Sequence, residues 1–576
     1  MSAACRWRCW AAPPSRRSAS SPTCSRCSPS ASTGSCWPRS RPSPWHVKAP
    51  EPLPDLRTLV FPANSTSFGE AQKRELEREV LPTYLPKRRW FASKGERLEG
   101  VSLKAVAPFP HARYVSFAEI EAKLHGRTER YCLPLAAVED DDSASPLAYQ
   151  LALSRVRQTR RVGYLTDAFA SDDFVHAALV NFRQNSTARS DEGEIRFIGS
   201  ALLQDIEMPE GPEIRRLSAE QSNSSMIVGD QVVLKILRKL APGIHPEAEM
   251  TRHLTEVGFQ NIAPLLGEVV RTAPDGTPVT LMLLQGFVRN QGDGWGWTLD
   301  WLRRSVDEAA LAHDGHEDTF AGYLTFATAL GRRLGELHAV LAGPSDDPAF
   351  TPEPAGEADR TAWAEGALEQ LEPALKLLEK ATDLSEADAA LAKSLRRKAD
   401  ALRGKVHELA QSADGALKTR LHGDFHLGQV LVSQGDAVIV DFEGEPARSL
   451  EERRAKGSPL RDVAGLLRSF DYAAAAAAQS HDTGSSSAVP QDRREALLAR
   501  FRQEASDAFL AAYRAAEHAA GKPWVPEASE QALLDLFLIE KAAYEIRYEA
   551  ANRPAWLPLP LRGLAAIVER LIPDAE

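Results

Sequence analysis

His422-Gly423-Asp424-Phe425-His426-Leu427-Gly428-Gln429, followed by Val438-Ile439-Val440-Asp441-Phe442-Glu443, is the stretch on which the reading of this chain turns. It sets one carboxylate in a tight polar loop, an amide five residues later, and a second carboxylate at the end of an apolar strand. Val430-Leu431-Val432 and Val438-Ile439-Val440 read as two short strands joined by a Gln434-Gly435-Asp436 turn. A hairpin there swings Asp441 back toward Gln429. Phosphoryl transfer needs such a set. One acid orients and deprotonates an attacking hydroxyl, while an amide oxygen and a second acid hold the magnesium that carries the nucleotide phosphates. Asp424 takes the first role, Gln429 and Asp441 the second. His422 and His426 have the i, i+4 spacing of a helical zinc pair, but Gly423 and Gly428 argue against a helix. Both read as hydrogen-bonding supports of the loop, and His426 also as a substrate contact.

A Walker loop and a dinucleotide-type glycine turn are both missing from the sequence. The candidate phosphate loop is instead Glu220-Gln221-Ser222-Asn223-Ser224-Ser225, between apolar starts at Ile214 and Met226. Small hydroxyl and amide residues at a hairpin tip donate to phosphate oxygens much as glycine backbones do. Gly229-Asp230 then turns the chain into Val232-Val233-Leu234-Lys235-Ile236-Leu237. Lys235 taken alone fits a half-exposed strand face. Its place in chain order favours a grip on the α- and β-phosphates: phosphate hairpin, Lys strand, Glu helix, catalytic loop, metal Asp. Glu249 is the first choice for the carboxylate that orients it, and Glu247 the second. Gln285-Gly286-Phe287-Val288 falls where a hinge between two lobes lies, and its backbone is expected to bond an adenine edge. ATP and Mg2+ are the cofactors this set implies.

The 576 residues suffice for roughly two to four structural units. With 43% hydrophobic and 26% charged residues, the composition is that of a globular protein. No stretch reaches the roughly 20 apolar residues of a membrane span, so no membrane partner and a cytoplasmic location are expected. Residues 1–50 carry eight Lys and Arg and no acid; subtracting them from the chain's net −10 leaves −18 on the rest. An acidic body argues against nucleic-acid binding. Five of the six cysteines lie in the first 36 residues, and Cys132 is the exception. The body therefore has no disulfide framework and suits a reducing compartment. Cys24-Ser25-Arg26-Cys27 lacks the second pair that a zinc site needs. Residues 1–50 read as a disordered or non-native leader from a wrong-frame or wrong-start translation, with a transit peptide as the alternative.

Residues 51–68 are a Pro-rich linker. Gly69 to Val80 reads as a charged helix, residues 101–162 as an antiparallel sheet with a strand through Tyr149-Gln150-Leu151-Ala152-Leu153, Asp172 to Asn185 as a helix, and Glu194 to Pro212 as a connector. Helices dominate from Leu324 onward. Leu330, Leu334, Leu337 and Leu341 form one stripe, and Ala364–Leu378 with Ser385–Leu409 a helical hairpin. Thr483–Val489 reads as a surface loop.

The His422-Gly423-Asp424-x-His426-x-x-Gln429 string with Asp441-Phe442-Glu443 resembles the signature of the aminoglycoside phosphotransferase-like kinases. Three further strings are similar to bacterial maltokinases: Arg89-Trp90-Phe91-Ala92-Ser93-Lys94-Gly95, Glu443-Gly444-Glu445-Pro446 and Pro459-Leu460-Arg461-Asp462-Val463-Ala464-Gly465. So is the tail from Tyr544-Glu545-x-x-Tyr548-Glu549 to Asn552-Arg553-Pro554-x-Trp556-Leu557. The resemblance implies an α+β, bilobal protein-kinase-like fold: an N-terminal β-rich cap with an intermediate subdomain (69–205), a small antiparallel β lobe (206–288) and a large helical lobe (289–576). It also implies transfer of phosphate from ATP to the reducing-end hydroxyl of maltose, feeding maltose 1-phosphate into α-glucan (glycogen) synthesis. Such kinases are often fused behind trehalose synthase, and Trp45–Asn64 looks like the junction of such a fusion. Association with trehalose synthase is therefore an expected partnership.

Gln429 stands where the wider family has Asn, but its amide oxygen still suits magnesium. Expected substrate contacts are His426, Glu443, Arg461, Lys541, Glu545 and Tyr548. Lys541, Glu545, Tyr548 and Asn552 share one helical face, with an ordinary solvated face as the alternative. Arg461 reads as an active-site neighbour or a structural residue, and Asp462 as structural. Two other functions stay open: a kinase of another small hydroxyl substrate, and a non-catalytic kinase-like module tethered to trehalose synthase.

Overall fold

The computed structural model describes residues 56–62, 68–140, 145–217, 222–311, 320–480, 490–521 and 523–573. The basic leader, Glu220-Gln221 and the Thr483–Val489 tract lie outside the described residues. Two sheets lead into a helical body. The first runs Thr58–Phe61, Ala152–Gln158, Arg161–Asp167, Leu135–Glu139, Val115–Leu124, Arg127–Cys132, with Leu98–Pro108 also paired to Val115–Leu124. Its last strand is Lys239–Leu240, which arrives from the small lobe and pairs antiparallel to Arg127–Cys132. The second sheet runs Ile214–Arg216, Ser224–Val228, Val232–Ile236, Pro278–Gly286, Leu265–Thr272, Gly193–Gly199, Thr187–Ser190, antiparallel throughout.

Alternation decides what each face covers. Along Val115–Leu124, Ala118, Ile120 and Ala122 pack on Leu76, Tyr84, Trp90 and Phe91. Phe117 points the other way, into a core with Phe109, Phe174, Met226, Val232 and Leu234. Those last three belong to the small lobe, so cap and small lobe share one hydrophobic core. The expected Asp172–Asn185 helix spans Asp172–Gln184, started by Ser171, which accepts the Phe174 N–H, and ended by Asn185 in the left-handed region at φ 50.

Two expectations are corrected. Tyr149-Gln150 ends a short helix, Pro146–Gln150, rather than a strand, because Ser145 caps it and Pro146 starts it; the strand begins at Ala152. Residues from Glu194 are not a connector: Gly193–Gly199 is a strand with Ile195 and Phe197 turned inward. The small-lobe sheet thus reaches back to Thr187, ahead of the boundary at 205.

In the large lobe, Leu330, Leu334, Leu337 and Leu341 form the buried stripe of helix Ala321–Leu341. This helix meets Gln491–Ala519 at Gly331, where a Cβ would lie 2.0 Å from the Phe509 carbonyl oxygen. Glycine there lets two backbones touch. Helices Glu357–Leu378, Glu527–Asn552 and Leu460–Ser480 wall the site described next. No helix among the described residues is long and apolar enough to cross a membrane.

Candidate active site

The hairpin Val430–Ser433 with Asp436–Ile439 has Val430 opposite Ile439 and Ser433 opposite Asp436. Gln434 and Gly435 turn it with φ of 52 and 81, as a tight two-residue hairpin requires. The Val440 N–H donates to the Gln429 carbonyl at 3.0 Å, which brings Asp441 back beside the catalytic loop. Asp441 is itself left-handed, at φ 66. A non-glycine residue there costs about 1 kcal/mol or more, and the bond from Lys235 at 2.8 Å holds it.

The loop is fixed from below. Buried Asp462 accepts the His422 N–H at 2.8 Å and the Gly423 N–H at 2.9 Å, and lies 3.3 Å from His338 Nε2. Burial opposes the Asp462 charge, but the His338 bond and the loop amides outweigh it and hold the carboxyl below its usual range. His422 Nε2 lies 3.0 Å from the Val440 carbonyl and its Nδ1 accepts the Asp424 N–H at 3.4 Å, so this ring donates at Nε2. His426 Nδ1 accepts the Gly428 N–H at 3.0 Å, and its Nε2 stands 3.7 Å from Asp424. Both histidines brace the loop. Burial pushes the Asp424 carboxyl up to about 6, while Lys541, 3.7 Å away, pulls it down.

Lys235 enters from strand Val232–Ile236 with its side chain 11% exposed. Its Nζ lies 2.6 Å from Glu247, 2.8 Å from Asp441 and 3.0 Å from Glu443. Burial disfavours the ammonium, but the three carboxylates raise it well above its ordinary range. The partner on the following helix is Glu247, not Glu249. The two residues stand two apart on Pro246–Glu256 and so face nearly opposite ways. Glu249 instead takes Arg420 at 2.6 Å and Arg454 at 2.8 and 2.6 Å, tying its helix to the large lobe. Glu443, expected at the substrate, belongs to the charge cluster. Oxygens of Glu247, Asp441 and Glu443 all lie within 4.8 Å of one another. Burial pushes the Glu247 carboxyl up to about 7, and the all-oxygen donor set that it forms with Asp441 and Glu443 is of the kind that fits Mg2+.

On either side of the phosphate loop, Ile214–Arg216 and Ser224–Val228 pair antiparallel, with Arg216 opposite Met226. Ser222 is exposed and Asn223 half-buried, but Ser224 and Ser225 are buried in the sheet. The Ser224 hydroxyl accepts from Arg238 Nε at 2.8 Å. Ser224 is therefore turned away from any phosphate, whereas Ser225 stands directly opposite Lys235 in the strand register and so shares its face of the sheet. In the hinge, the Phe287 N–H donates to the Gln231 carbonyl at 2.8 Å and so is not the group that meets an adenine edge; the Val288 carbonyl accepts from Asn290 at 2.8 Å, and the Gln285 side chain turns to Glu247 at 3.3 Å.

An open cleft lies on the other side of Asp424, lined among others by Trp363, Glu445, Arg448, Lys541 and Tyr544. Its lining reaches Gly444 and stops short of Asp441 and Lys235. The two halves of the site meet where Gly423, at φ 80, lies against Gly444, with room for no more than a 3.4 Å contact to a Cβ. Arg461 is in the lining, over the Phe537 ring at 4.5 Å and bonded to Glu540 at 2.7 Å. Lys541 is in place. Glu545 and Tyr548 are not in the lining: buried Glu545 accepts from Arg468 at 2.9 and 2.6 Å, and Tyr548 lies under Arg553. The face of Glu527–Asn552 that meets the cleft is Phe537, Glu540, Lys541 and Tyr544, one turn earlier than expected. The signal for it was Phe537 at i−4 from Lys541. Trp363 and Arg448 carried no sequence signal.

Comparison with known proteins accords with this geometry. Residues 213–496 match the Phosphotransferase enzyme family, and residues 84–170 match the Maltokinase N-terminal cap domain. The match to the phosphotransferase enzyme family covers just under half of this chain. It is 29% identical over 357 residues to a glucosamine kinase of Mycolicibacterium smegmatis, covering 62% of this chain and 79% of that protein. A glucosamine kinase of Streptacidiphilus jiangxiensis is 30% identical over 263 residues, 45% of this chain and 54% of that one. Among solved structures, a glucosamine kinase in complex with glucosamine, ADP and inorganic phosphate superposes with TM-score 0.58 at 20% identity, covering 86% of this chain and 99% of that one. At that identity the likeness is one of fold. Residues 213–496 thus carry a phosphotransferase-type domain, and residues 84–170 a maltokinase-type cap that shares its core with the small lobe.

Proposed function

We propose that the protein phosphorylates maltose at its reducing-end hydroxyl, using ATP and Mg2+, and so supplies maltose 1-phosphate to α-glucan synthesis. The observation that carries this is Asp424, a carboxylate poised near pH 6 at the mouth of an open cleft, one glycine contact from the Lys235–Asp441–Glu443 cluster. The acceptor hydroxyl loses its proton to Asp424 as its oxygen forms a bond to the γ-phosphorus. The bond from that phosphorus to the β,γ-bridging oxygen breaks, and ADP leaves with the electron pair. Lys235 steadies the nucleotide phosphates, with Glu247 setting its direction. Asp441 and Glu443, with Gln429 beside them, are the groups to hold Mg2+, which when bound neutralises charge on the transferring phosphate. Positioning accounts for most of the acceleration.

Support for a disaccharide comes from three aromatic side chains along the cleft, Trp363, Phe537 and Tyr544, which offer more than one ring surface to sugar faces. Glucosamine is the second reading, favoured by the named relatives. ADP release with maltose, glucose, glucosamine and trehalose as acceptors tests the choice. Maltose should give the highest kcat/KM with a 1-phosphate product. A preference for glucosamine overturns the maltose assignment, and no acceptor-dependent ADP release overturns the kinase role.

A further inference from the structure

We propose that Arg238 is a positioning residue through which the cap sets the phosphate-binding edge of the nucleotide site; this rests on the reading that the Lys235 cluster receives the nucleotide. Arg238 follows Lys235 by three residues and is 1% exposed. Its guanidinium is divided between two domains. On the cap side, Nη2 donates to Asp167 at 2.7 Å and Nη1 to the Cys132 carbonyl at 3.3 Å. On the lobe side, Nε donates to the Ser224 hydroxyl at 2.8 Å. The Arg238 main-chain N–H donates to Asn223 Oδ1 at 3.2 Å, and Asn223 Nδ2 donates to Glu443 at 2.7 Å. A continuous hydrogen-bonded path therefore runs from Asp167 in the cap to the carboxylate that touches Lys235. Trp90, from the unusual Arg89-Trp90-Phe91 string, lies with its ring centre 5.1 Å from the guanidinium carbon. The two residues after Arg238 are the ones that complete the cap sheet.

A phosphate loop without glycine has to be placed by its side chains, and among its described residues Asn223 bonds a carboxylate of the charge cluster. The planar guanidinium serves three directions at once, which a lysine ammonium on a flexible stem does not reproduce. A second buried ion pair joins cap and small lobe and supplies a control. Arg271 binds Glu119, both 2% exposed, and donates to the Glu192 carbonyl at 2.7 Å. None of these partners belongs to the phosphate loop.

The test is steady-state kinetics on the full chain, with ATP and acceptor each varied. Arg238→Lys should raise the KM for ATP by about tenfold and leave the acceptor KM within about twofold, whereas Arg271→Lys should change neither although it lowers the melting temperature as well. Asn223→Ala should reproduce the ATP defect, and Arg238→Lys combined with Asn223→Ala should be no worse than the weaker single variant, because one path is cut twice. Equal ATP effects from Arg238→Lys and Arg271→Lys, an unchanged ATP KM in Arg238→Lys, or additive effects in the double variant would each overturn the inference. Where Arg238→Lys does not fold, Asp167→Asn is read the same way; if neither folds, the pair is purely structural and the inference falls. Lys235→Met separates this from the reading beneath it. Full turnover in Lys235→Met removes the nucleotide site itself, whereas an inactive Lys235→Met beside a wild-type Arg238→Lys removes the positioning role alone.

Discussion

Replacing Asp424 by Asn should make the protein inactive and more stable at once. The Asp424 side chain is 21% exposed, and burial lifts its carboxyl from 3.8 to about 6. Above pH 6 the group is ionised in both folded and unfolded states, and the folded state bears the whole cost of the desolvated charge, on the order of 3 kcal/mol at pH 8. As the pH falls through 6 the folded protein takes up the proton first. The cost then shrinks to about 1.6 kcal/mol at pH 5 and about 0.5 kcal/mol at pH 4. Asn keeps the shape without the charge, and the pull of Lys541 is already contained in the net shift. Denaturant unfolding of both proteins at pH 8 and pH 5 should therefore show Asp424→Asn more stable, by up to about 3 kcal/mol at pH 8 and about half that at pH 5. Turnover should fall by about a thousandfold while ATP affinity holds. Wild-type turnover should decline below about pH 6 as the base is protonated. An Asp424→Asn protein no more stable at pH 8, or equally stabilised at both pH values, would refute the claim of a desolvated charge. Retained turnover would remove Asp424 from proton transfer.

Glu247→Gln should lower kcat/KM for ATP by about tenfold or more, because Lys235 loses its orienting partner. Glu249→Gln should leave ATP kinetics alone and cost about 3 kcal/mol in denaturant unfolding, since it breaks the buried bond to Arg420. Magnesium alone should raise the wild-type melting temperature in a concentration-dependent way, and Asp441→Asn should abolish the shift; an unaltered shift places the ion elsewhere. Gly331→Ala should destabilise by about 2 kcal/mol despite its better helix propensity, because its Cβ meets the Phe509 carbonyl; a neutral result in thermal unfolding shows that the two helices give way.

Legibility followed the range of the interaction. The Asp424–Gln429–Asp441 arrangement was readable because a two-residue turn and alternating strands fix it within about twenty residues of chain. Lys235 was readable from chain order alone. Its partner was not. Glu247 and Glu249 are chemically alike, and only the docking of helix Pro246–Glu256 on the sheet decides which one faces Lys235. The hinge was legible only in part: whether the Phe287 amide is free depends on the Gln231 carbonyl, a tertiary contact that composition does not encode. On Glu527–Asn552, polar residues on two adjacent faces looked equally suited to a sugar. Arg468, brought in by another helix, claimed Glu545. The strand at Gly193–Gly199 was missed because only Ile195 and Phe197 mark its inner face, too few to show a period of two.

The strand Lys239–Leu240 has a bearing on how the chain is made. The cap's own last long strand ends at Asp167, yet the sheet stays open until residue 240 arrives, and the core it shares with the small lobe stays open until Gly286. On a ribosome adding about 5–20 residues per second, the nascent cap waits roughly 4–15 s with an unpaired edge and roughly 6–24 s with bare phenylalanines before its partners emerge. The first half of this protein is thus committed to folding as one late-closing unit, in which a stall between 170 and 290 leaves an aggregation-prone intermediate.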